Sequence, residues 1–155
     1  MIKLNVLIKD KKWDKHIKQP NLYFKRKIKR LNKKVNKFRN TNIECSLLLT
    51  SDTDIRALNK KFRNKNKTTD VLSFPFYEKK ALKKLLKRNK DFYLGDVIVN
   101  INKVQNKYNS KKDFMSRVDK LWIHGLLHLL GYRHKIKKDY DIMQKLEDKF
   151  LKIIN

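Results

Sequence analysis

Three histidines lie within one short segment of the chain, where their spacing could build a metal site. His124 and His128 are four residues apart and His134 follows six residues later. On a helix, residues four apart project from the same face, because one turn takes about 3.6 residues. Gly131, of a type that commonly ends helices, lets the chain fold back before the third histidine.

Three imidazoles with no acid among them suit a tetrahedral ion whose fourth position stays open to water. We therefore predict one Zn²⁺ per chain, held by His124, His128 and His134. The alternative is that all three are core histidines, each with its own hydrogen bond. Leaving such rings unpaired among leucines costs roughly 1–3 kcal/mol apiece, whereas one ion satisfies all three, so we favour the metal.

The spacing also matches the metallopeptidase pattern H-E-x-x-H-x-x-G-x-x-H, including its glycine. However, Gly125 stands where a peptidase has the glutamate that takes a proton from water. Without that base, peptide hydrolysis by the usual route is disfavoured, and the sequence points away from a protease.

The charge of the chain indicates a polyanionic partner. Lys and Arg number 41 against 15 acidic residues, for a net charge of +26. Nucleic acid is the first interpretation and an anionic membrane surface the second. A lysine- and asparagine-rich composition that follows an AT-rich genome stays open as an alternative.

Other features predict a cytoplasmic protein without a membrane partner. No apolar run approaches the roughly 20 residues of a membrane span, and the N-terminus lacks the apolar core of a signal peptide. Cys45 is the single cysteine of the chain and lies in an apolar run, so we expect a small buried side chain and no intrachain disulfide.

The elements that must position the histidines follow from hydrophobic periodicity. A length of 155 residues predicts a single domain over residues 1–155. The fold class is α+β, a four-stranded mixed sheet covered by about five helices, with the metal site at the end of a buried helix. Strands are predicted at residues 2–8, 43–50, 71–74 and 94–100, and helices at 21–38, after 51–54, at 79–90, at 112–130 and from about 139.

Several finer features are predicted with these elements. Ser51 and Asp54 have the spacing of a capping box, and Leu22, Phe62 and Tyr140 fall on the inward faces of their helices. The basic stretch 79–90 is interpreted as a surface helix or a partly ordered insertion, in preference to an arm that contacts RNA.

The segment His-Gly-Leu-Leu-His-Leu-Leu-Gly-Tyr-Arg-His at residues 124–134 resembles the signature H-G-x-L-H-L-x-G-Y-D-H of the YbeY family of bacterial endoribonucleases. Ten of the eleven positions agree. Residues 58–63 and 69–75 resemble the family blocks L-N-x-x-[YF]-R and T-[DN]-V-L-S-F-P, and residues 94–98 resemble its L-G-D-[IV]-x-I strand. Met143 and Glu147 also fall where the family tends to place such residues.

This resemblance implies a metal-dependent endoribonuclease, specific for single strands, that acts in ribosomal RNA maturation, at the 3′ end of the small-subunit RNA, and in ribosome quality control. Its partners would be ribosomal RNA and the small ribosomal subunit. The resemblance also implies zinc on the three histidines and a functional arginine at Arg63; we take Arg63 and His124 as catalytic.

In such a site, a divalent ion polarises a phosphoryl oxygen or activates its water, and Arg63 donates N–H groups to the same phosphate. Without the resemblance, Arg63 would be interpreted as a solvated charge. Because Gly125 offers no base, either water or the 2′-hydroxyl could be the nucleophile.

Arg133 stands where the family has an aspartate, a change of two charge units beside a predicted ligand. We expect weaker metal binding and a preference for anions, unless Arg133 simply faces solvent on the turn. Asp70 and Asp96 could orient a ligand histidine, although structural roles are favoured for both.

Two other classes of function remain open. One is a metallohydrolase with a substrate other than RNA, and the other is a noncatalytic zinc-containing module of ribosome assembly. Structural zinc is usually closed by four protein ligands, so three histidines argue against the second class.

Overall fold

The computed structural model describes residues 1–36, 41–88, 91–105, 110–134 and 136–155. In these ranges the chain forms four strands and seven helices. In chain order they are β1 (Ile2–Ile8), α1 (Lys12–His16), α2 (Pro20–Lys34), β2 (Ile43–Thr50), α3 (Asp52–Arg63), β3 (Val71–Pro75), α4 (Lys79–Arg88), β4 (Phe92–Asn100), α5 (Ile101–Gln105), α6 (Lys111–Leu129) and α7 (Lys137–Ile154).

The four strands form one mixed sheet in the order β1-β2-β4-β3. The pairs β1–β2 and β2–β4 are parallel, and β3 runs antiparallel to β4 at the edge. Pro75 ends β3, which suits an edge strand because proline cannot donate to the ladder. The predicted α+β class and the four-stranded mixed sheet are confirmed.

Helices cover both faces of the sheet. Val97 and Val99 of β4 pack into the main core, which includes residues of α2, α6 and α7. Ile98, between them, packs with Ile55 of α3 and Leu72 of β3 in a smaller cluster. Because successive side chains of a strand point to opposite faces, α3 lies on the face away from α6.

Helix α6 is the buried helix that the sequence predicts. Its C-terminal half is buried on nearly all sides, whereas its first turn is exposed. Ser110 is its N-cap, and the Ser110 hydroxyl accepts a hydrogen bond of 3.1 Å from the backbone N–H of Asp113. At the other end Gly131 has φ 84°, and its N–H donates to the carbonyl of His128 at 3.0 Å. This left-handed glycine turns the chain back toward the helix, as predicted.

Some details differ from the predictions. The side chains of Leu22, Phe62 and Tyr140 are 41%, 58% and 49% exposed, so they do not face the core. Periodicity predicts which side of a helix faces the core, but not how far along the helix the neighbouring element extends. These three residues lie beyond the part of each helix that packs against the core. Phe62 packs on the ring of Phe74 instead, with the ring centroids 5.2 Å apart.

The predicted capping box is also absent. Ser51 is the N-cap of α3, but its side chain makes no capping hydrogen bond. The carboxylate of Asp54 instead accepts hydrogen bonds from the ammonium of Lys9 and the hydroxyl of Thr50. Lys9 lies 45 residues away in the sequence, so the spacing of Ser51 and Asp54 cannot reveal this partner.

The remaining differences concern short or basic segments. Helices α1 and α5 have five residues each, too few for periodicity to predict. Helix α2 ends at Lys34, and residues 37 and 38 of its predicted range lie outside the described residues. The basic stretch is the surface helix α4, in which Leu82 is buried, and residues 89 and 90 of that stretch are likewise outside the described residues.

Cys45 is fully buried, and burial raises the pKa of its thiol to about 12, as fits an unreactive core residue. None of the described helices combines the length and the hydropathy needed to cross a bilayer.

Helix α6 lies close against the sheet at Gly125. A Cβ atom at this glycine would lie 2.4 Å from Cγ1 of Val97 and 3.1 Å from Oγ of Ser73. Real Cβ contacts are longer than the first of these distances, so no side chain fits here without a shift. The glycine therefore sets how closely the histidine-bearing helix lies to β3 and β4.

Gly125→Ala is accordingly expected to lower the free energy of unfolding by about 1–3 kcal/mol, the usual cost of overpacking a core. Chemical denaturation monitored by circular dichroism measures the change. Ser116→Ala, on an exposed position of the same helix, is the control and should stay within about 0.5 kcal/mol. Equal stability of Gly125→Ala and the parent protein would contradict the close approach.

Candidate metal centre

The last turns of α6 present His124 and His128 side by side, and the chain after Gly131 brings His134 to them. The ring centroid of His134 lies 5.4 Å from that of His124 and 5.0 Å from that of His128. Each histidine offers one ring nitrogen, and these three atoms all lie within 4.8 Å of one another. The structure thus brings together the three residues that the sequence predicts as ligands, in a cluster that could hold a metal ion.

The Nδ1 atoms of His124 and His128 each lie beside a group that can only accept a hydrogen bond. Nδ1 of His124 lies 2.8 Å from Oε2 of Glu147, and Nδ1 of His128 lies 3.0 Å from the carbonyl oxygen of Tyr132. A carboxylate and a carbonyl both accept, so each Nδ1 carries the hydrogen. In the neutral rings the Nε2 atoms are therefore left with free lone pairs.

These two lone pairs lie close together, since Nε2 of His124 and Nε2 of His128 are 3.1 Å apart. Two lone pairs at this distance repel unless a cation lies between them. Zn–N bonds of about 2.0–2.1 Å at a tetrahedral angle would place two ligand nitrogens roughly 3.3 Å apart. The donor set and its spacing fit a divalent ion of the zinc type.

His128 is half-buried, and this burial lowers the pKa of its imidazole to about 4, with a further contribution from the neighbouring His124. The physical cause is the cost of placing a charged ring away from water. His128 is therefore neutral near pH 7, which is the form that a metal ligand must have.

Glu147 of α7 is the buried acid that holds His124. Its side chain is only 3% exposed; Oε2 accepts from His124, and Oε1 lies 3.6 Å from the ammonium of Lys120. Such a carboxylate fixes the tautomer and the orientation of a ligand ring and makes its free nitrogen a stronger donor to a metal. From the sequence, Glu147 enters only through the family resemblance, without an assigned role.

A signal for this role was nevertheless present in the sequence. Glu147 is the acid in the row Met143, Glu147 and Phe150, which faces the core on α7. Glutamate is rarely fully buried unless it has a partner, so an acid in an apolar stripe indicates a specific contact. The identity of that partner depends on how α7 packs on α6, which the sequence does not reveal.

A pocket opens beside the histidines, lined by Arg63, Ser73, His128, Arg133 and His134. We refer to it as the Arg63 pocket. Arg63 is the last residue of α3; its Nη2 donates to the carbonyl of Ser73 at 3.3 Å, and its guanidinium lies 5.9 Å from the ring centroid of Phe74. The predicted catalytic arginine therefore lies in the same pocket as two of the histidines.

Arg133 is an exposed residue that also lines this pocket. Its charge thus adds to that of Arg63 beside the histidines, even though the side chain remains open to solvent. Ser73, which the sequence analysis did not single out, connects the parts of the site. Its carbonyl holds Arg63, and its hydroxyl lies against Gly125.

Asp70 and Asp96 have other partners than the histidines. Asp70 accepts a hydrogen bond of 2.5 Å from Nη2 of Arg117, and Asp96 accepts one of 2.5 Å from the hydroxyl of Tyr93. Burial and the bond to Asp96 together raise the pKa of Tyr93 to about 12. The carboxylate that orients a histidine is that of Glu147, not either of these two.

Comparison with known proteins identifies the family. A sequence model described as "Endoribonuclease YbeY" matches residues 7–155. The chain belongs to the YbeY family. Among curated YbeY proteins, that of Pelagibacter ubique is 43% identical over 155 residues, which cover 99% of this chain and 97% of the relative. That of Buchnera aphidicola is 38% identical over 137 residues, covering 86% of this chain and 80% of the relative. Both relatives bear the name "Endoribonuclease YbeY".

The fold also resembles a solved structure, the solution structure of TM1509 from Thermotoga maritima. The TM-score is 0.57 at 22% sequence identity, and the match covers 98% of this chain and 89% of the other. This likeness bears on the fold alone. The family resemblance that the segment 124–134 indicated is confirmed by the relatives and by the family model.

Single substitutions in the cluster should remove the metal. His124→Ala, His128→Ala and His134→Ala are each expected to reduce the content of tightly held divalent metal well below about one ion per chain, because each removes one of three ligands. Elemental analysis of the purified proteins measures this. His16→Ala, which removes a histidine of α1 outside the cluster, is the control, and full metal content in all three cluster variants would contradict the site.

The carboxylate of Glu147 should tune metal affinity without binding the metal itself. Glu147→Gln is expected to weaken the affinity by about 10–100-fold, because the amide no longer holds the ring of His124 as a strong acceptor. Competition with a fluorescent chelator measures the affinity. Asp148→Asn, on the exposed face of the same helix, should leave it unchanged. An unaltered affinity in Glu147→Gln would show that the contact has no influence on the site.

Proposed function

We propose that this protein is a zinc-dependent endoribonuclease that cuts single-stranded RNA in ribosomal RNA maturation and ribosome quality control. The observation that carries the proposal is the cluster of three metal-competent histidines beside a pocket with two arginines, in a chain of the YbeY family. The relatives are named endoribonucleases, and a net charge of +26 suits an RNA substrate.

The proposal extends to the place of action. The 3′ end of the small-subunit RNA is the proposed substrate, the small ribosomal subunit the proposed partner and the bacterial cytoplasm the proposed location. We also propose that residues 1–155 act as a single domain, since the main core contains residues from Ile2 to Ile154.

His124, His128 and His134 would hold the ion, which would supply Lewis acidity to a phosphoryl oxygen of the RNA. Glu147 orients the ring of His124 and keeps its hydrogen on Nδ1. His128 is oriented in the same way by the carbonyl of Tyr132. These two contacts fix the ring nitrogens before substrate arrives, which reduces the reorganisation needed during the reaction.

Arg63 is the residue suited to the charge that develops on the phosphate. Its guanidinium has five N–H donors in a fixed plane, and one contact to the carbonyl of Ser73 leaves donors for a phosphate. The ring of Phe74 restricts its movement further. We assign Arg63 to the stabilisation of the transition state. We assign His124 to binding the metal beside the reacting phosphate.

Among the described residues that line the Arg63 pocket there is no carboxylate. Gly125 leaves no room for one on α6, because a Cβ there already meets Val97 and Ser73. This arrangement favours phosphoester chemistry over peptide hydrolysis, since a phosphodiester carries a negative charge that two arginines attract. The proton of the nucleophile, whether water or the 2′-hydroxyl, has no carboxylate base in this pocket to receive it.

Three protein ligands also argue for a catalytic ion over a structural one, because structural zinc sites are usually closed by four. A noncatalytic assembly module would have no need for the open position or for an arginine held against it. The assay below separates the two functions, since only a nuclease depends on Arg63 for cleavage.

Arg63→Ala is expected to lower the rate of RNA cleavage by roughly 10²–10³-fold while metal content and fold are retained, since its contact matters most in the transition state. A labelled single-stranded RNA resolved on a denaturing gel gives the rate. Arg56→Ala is the matched control, because Arg56 lies on the same helix and pairs with Asn66 outside the pocket. Cleavage by Arg63→Ala at the parental rate would refute the role of this residue.

A further inference from the structure

A second pocket adjoins the metal centre and shares His124 and Glu147 with it. Its other polar wall residues are Asp70, Arg117, Lys120, Tyr140 and Gln144. We refer to it as the Tyr140 pocket. Residues of α6 and α7 form most of its wall, and the β3 side contributes Asp70 and Val71.

The two pockets beside the histidines differ in charge. In the part of the chain that the structure describes, the lining of the Arg63 pocket has two guanidinium groups and no acid, which suits a phosphate. In the Tyr140 pocket the cations are matched by acids. The guanidinium of Arg117 lies 2.5 Å from the carboxylate of Asp70, and the ammonium of Lys120 lies 3.6 Å from that of Glu147. Balanced charges attract a free anion only weakly, so a phosphate is not the natural occupant.

The Tyr140 pocket offers what a flat, polar, aromatic group requires. Tyr140 is 49% exposed, so part of its ring can be reached by a stacking partner, and the ammonium of Lys137 lies 6.0 Å from the ring centroid. The amide nitrogen of Gln144 donates to Asp148 at 2.9 Å, and its second hydrogen and its oxygen add a donor and an acceptor to the wall. Arg117 and Asp70 bond to each other, and each has donor or acceptor capacity beyond that bond. Nε of Arg117 and Oε1 of Glu147 are two buried polar atoms of these wall residues that have no hydrogen-bond partner among the described residues.

We infer that the Tyr140 pocket is a nucleobase subsite, which takes the base of a nucleotide next to the phosphate held at the Arg63 pocket. The inference rests on the proposed function and deepens it. Nucleobases combine a π face with donors and acceptors on one edge, and unpaired RNA bases are commonly stacked on exposed tyrosine rings. His124 lines this pocket and also belongs to the histidine cluster, so a base bound here would lie beside the reacting phosphate.

This subsite has two consequences for the substrate. A base can enter the pocket only when it is unpaired and unstacked, which would make the reaction selective for single strands. The polar wall contacts the edge of the base, so the identity of one nucleotide beside the cut should influence affinity.

Binding of a dinucleotide tests the subsite. The probe is a dinucleoside monophosphate with 2′-O-methyl groups, compared with two analogues that each lack one of the bases. Affinities are measured by NMR titration of the metal-loaded protein, and integrity of the probe is checked afterwards. The variants are Tyr140→Ala, Tyr140→Phe and, as a control for an exposed aromatic residue outside both pockets, Phe76→Ala, whose side chain is 67% exposed.

In the parent protein, removal of one particular base should weaken binding about tenfold, and removal of the other base should have little effect. Tyr140→Ala should bind the intact dinucleotide about tenfold more weakly and should no longer distinguish it from the analogue that lacks that base. Tyr140→Phe, which keeps the ring, and Phe76→Ala should behave as the parent does.

Three results would overturn the inference. They are absence of dinucleotide binding by the parent, parental affinity in Tyr140→Ala, or undiminished discrimination between the analogues in that variant. Cleavage of RNA by the same preparations separates this inference from the proposed function. Base-dependent binding through Tyr140 without any cleavage would leave the subsite and refute the nuclease, whereas cleavage with unaltered binding in Tyr140→Ala would do the reverse.

Discussion

The contact between α6 and the sheet at Gly125 determines the geometry of the whole site. A side chain at this position would meet Val97 of β4 and Ser73 of β3, so the helix can lie this close only because the residue is glycine. The histidines on either side of it, His124 and His128, are thereby held at a fixed height above β3. Ser73 contributes to both sides of the arrangement, because its carbonyl accepts the hydrogen bond of Arg63.

This packing also restricts the chemistry. In metallopeptidases of similar histidine spacing, a glutamate base stands at the position of Gly125. Here that position packs against the sheet and has no room for a side chain. Among the described residues, the adjoining pocket therefore has two arginines to stabilise negative charge and no carboxylate base. The buried acid Glu147 contacts Nδ1 of His124 and acts through its ring. The result is a centre that attracts an anionic substrate on the side of Arg63 and Arg133, where burial lowers the pKa of His128 and favours its neutral form.

Much of this arrangement can be predicted from the sequence, because it depends on local patterns. The spacing of the histidines, the apolar helix and the left-handed Gly131 each reflect a periodicity or a backbone requirement within a few residues. The position of β2 inside the sheet follows from its apolar run in the same way. The family resemblance adds Arg63, whose surroundings alone would suggest only a solvated charge.

The parts that the sequence did not reveal depend on contacts between distant elements. Glu147 meets His124 across 23 residues of sequence, and Lys9 replaces the expected local cap at Asp54 across 45. Tyr140 follows the helical period of the buried stripe of α7, yet the stripe enters the core only at Met143, which leaves the tyrosine at the rim of a pocket. Periodicity specifies direction around a helix, whereas the extent of the neighbouring element decides burial.

The most direct test of the central claim is RNA cleavage by the same protein before metal removal, after chelation and after Zn²⁺ is restored. A single-stranded RNA should be cut by the untreated protein. Cutting should be lost when a chelator removes the ion, and one equivalent of Zn²⁺ per chain should restore it. Full cleavage by protein shown to contain no metal would contradict the account. Absence of cleavage by protein shown to carry one Zn²⁺ per chain would contradict it equally.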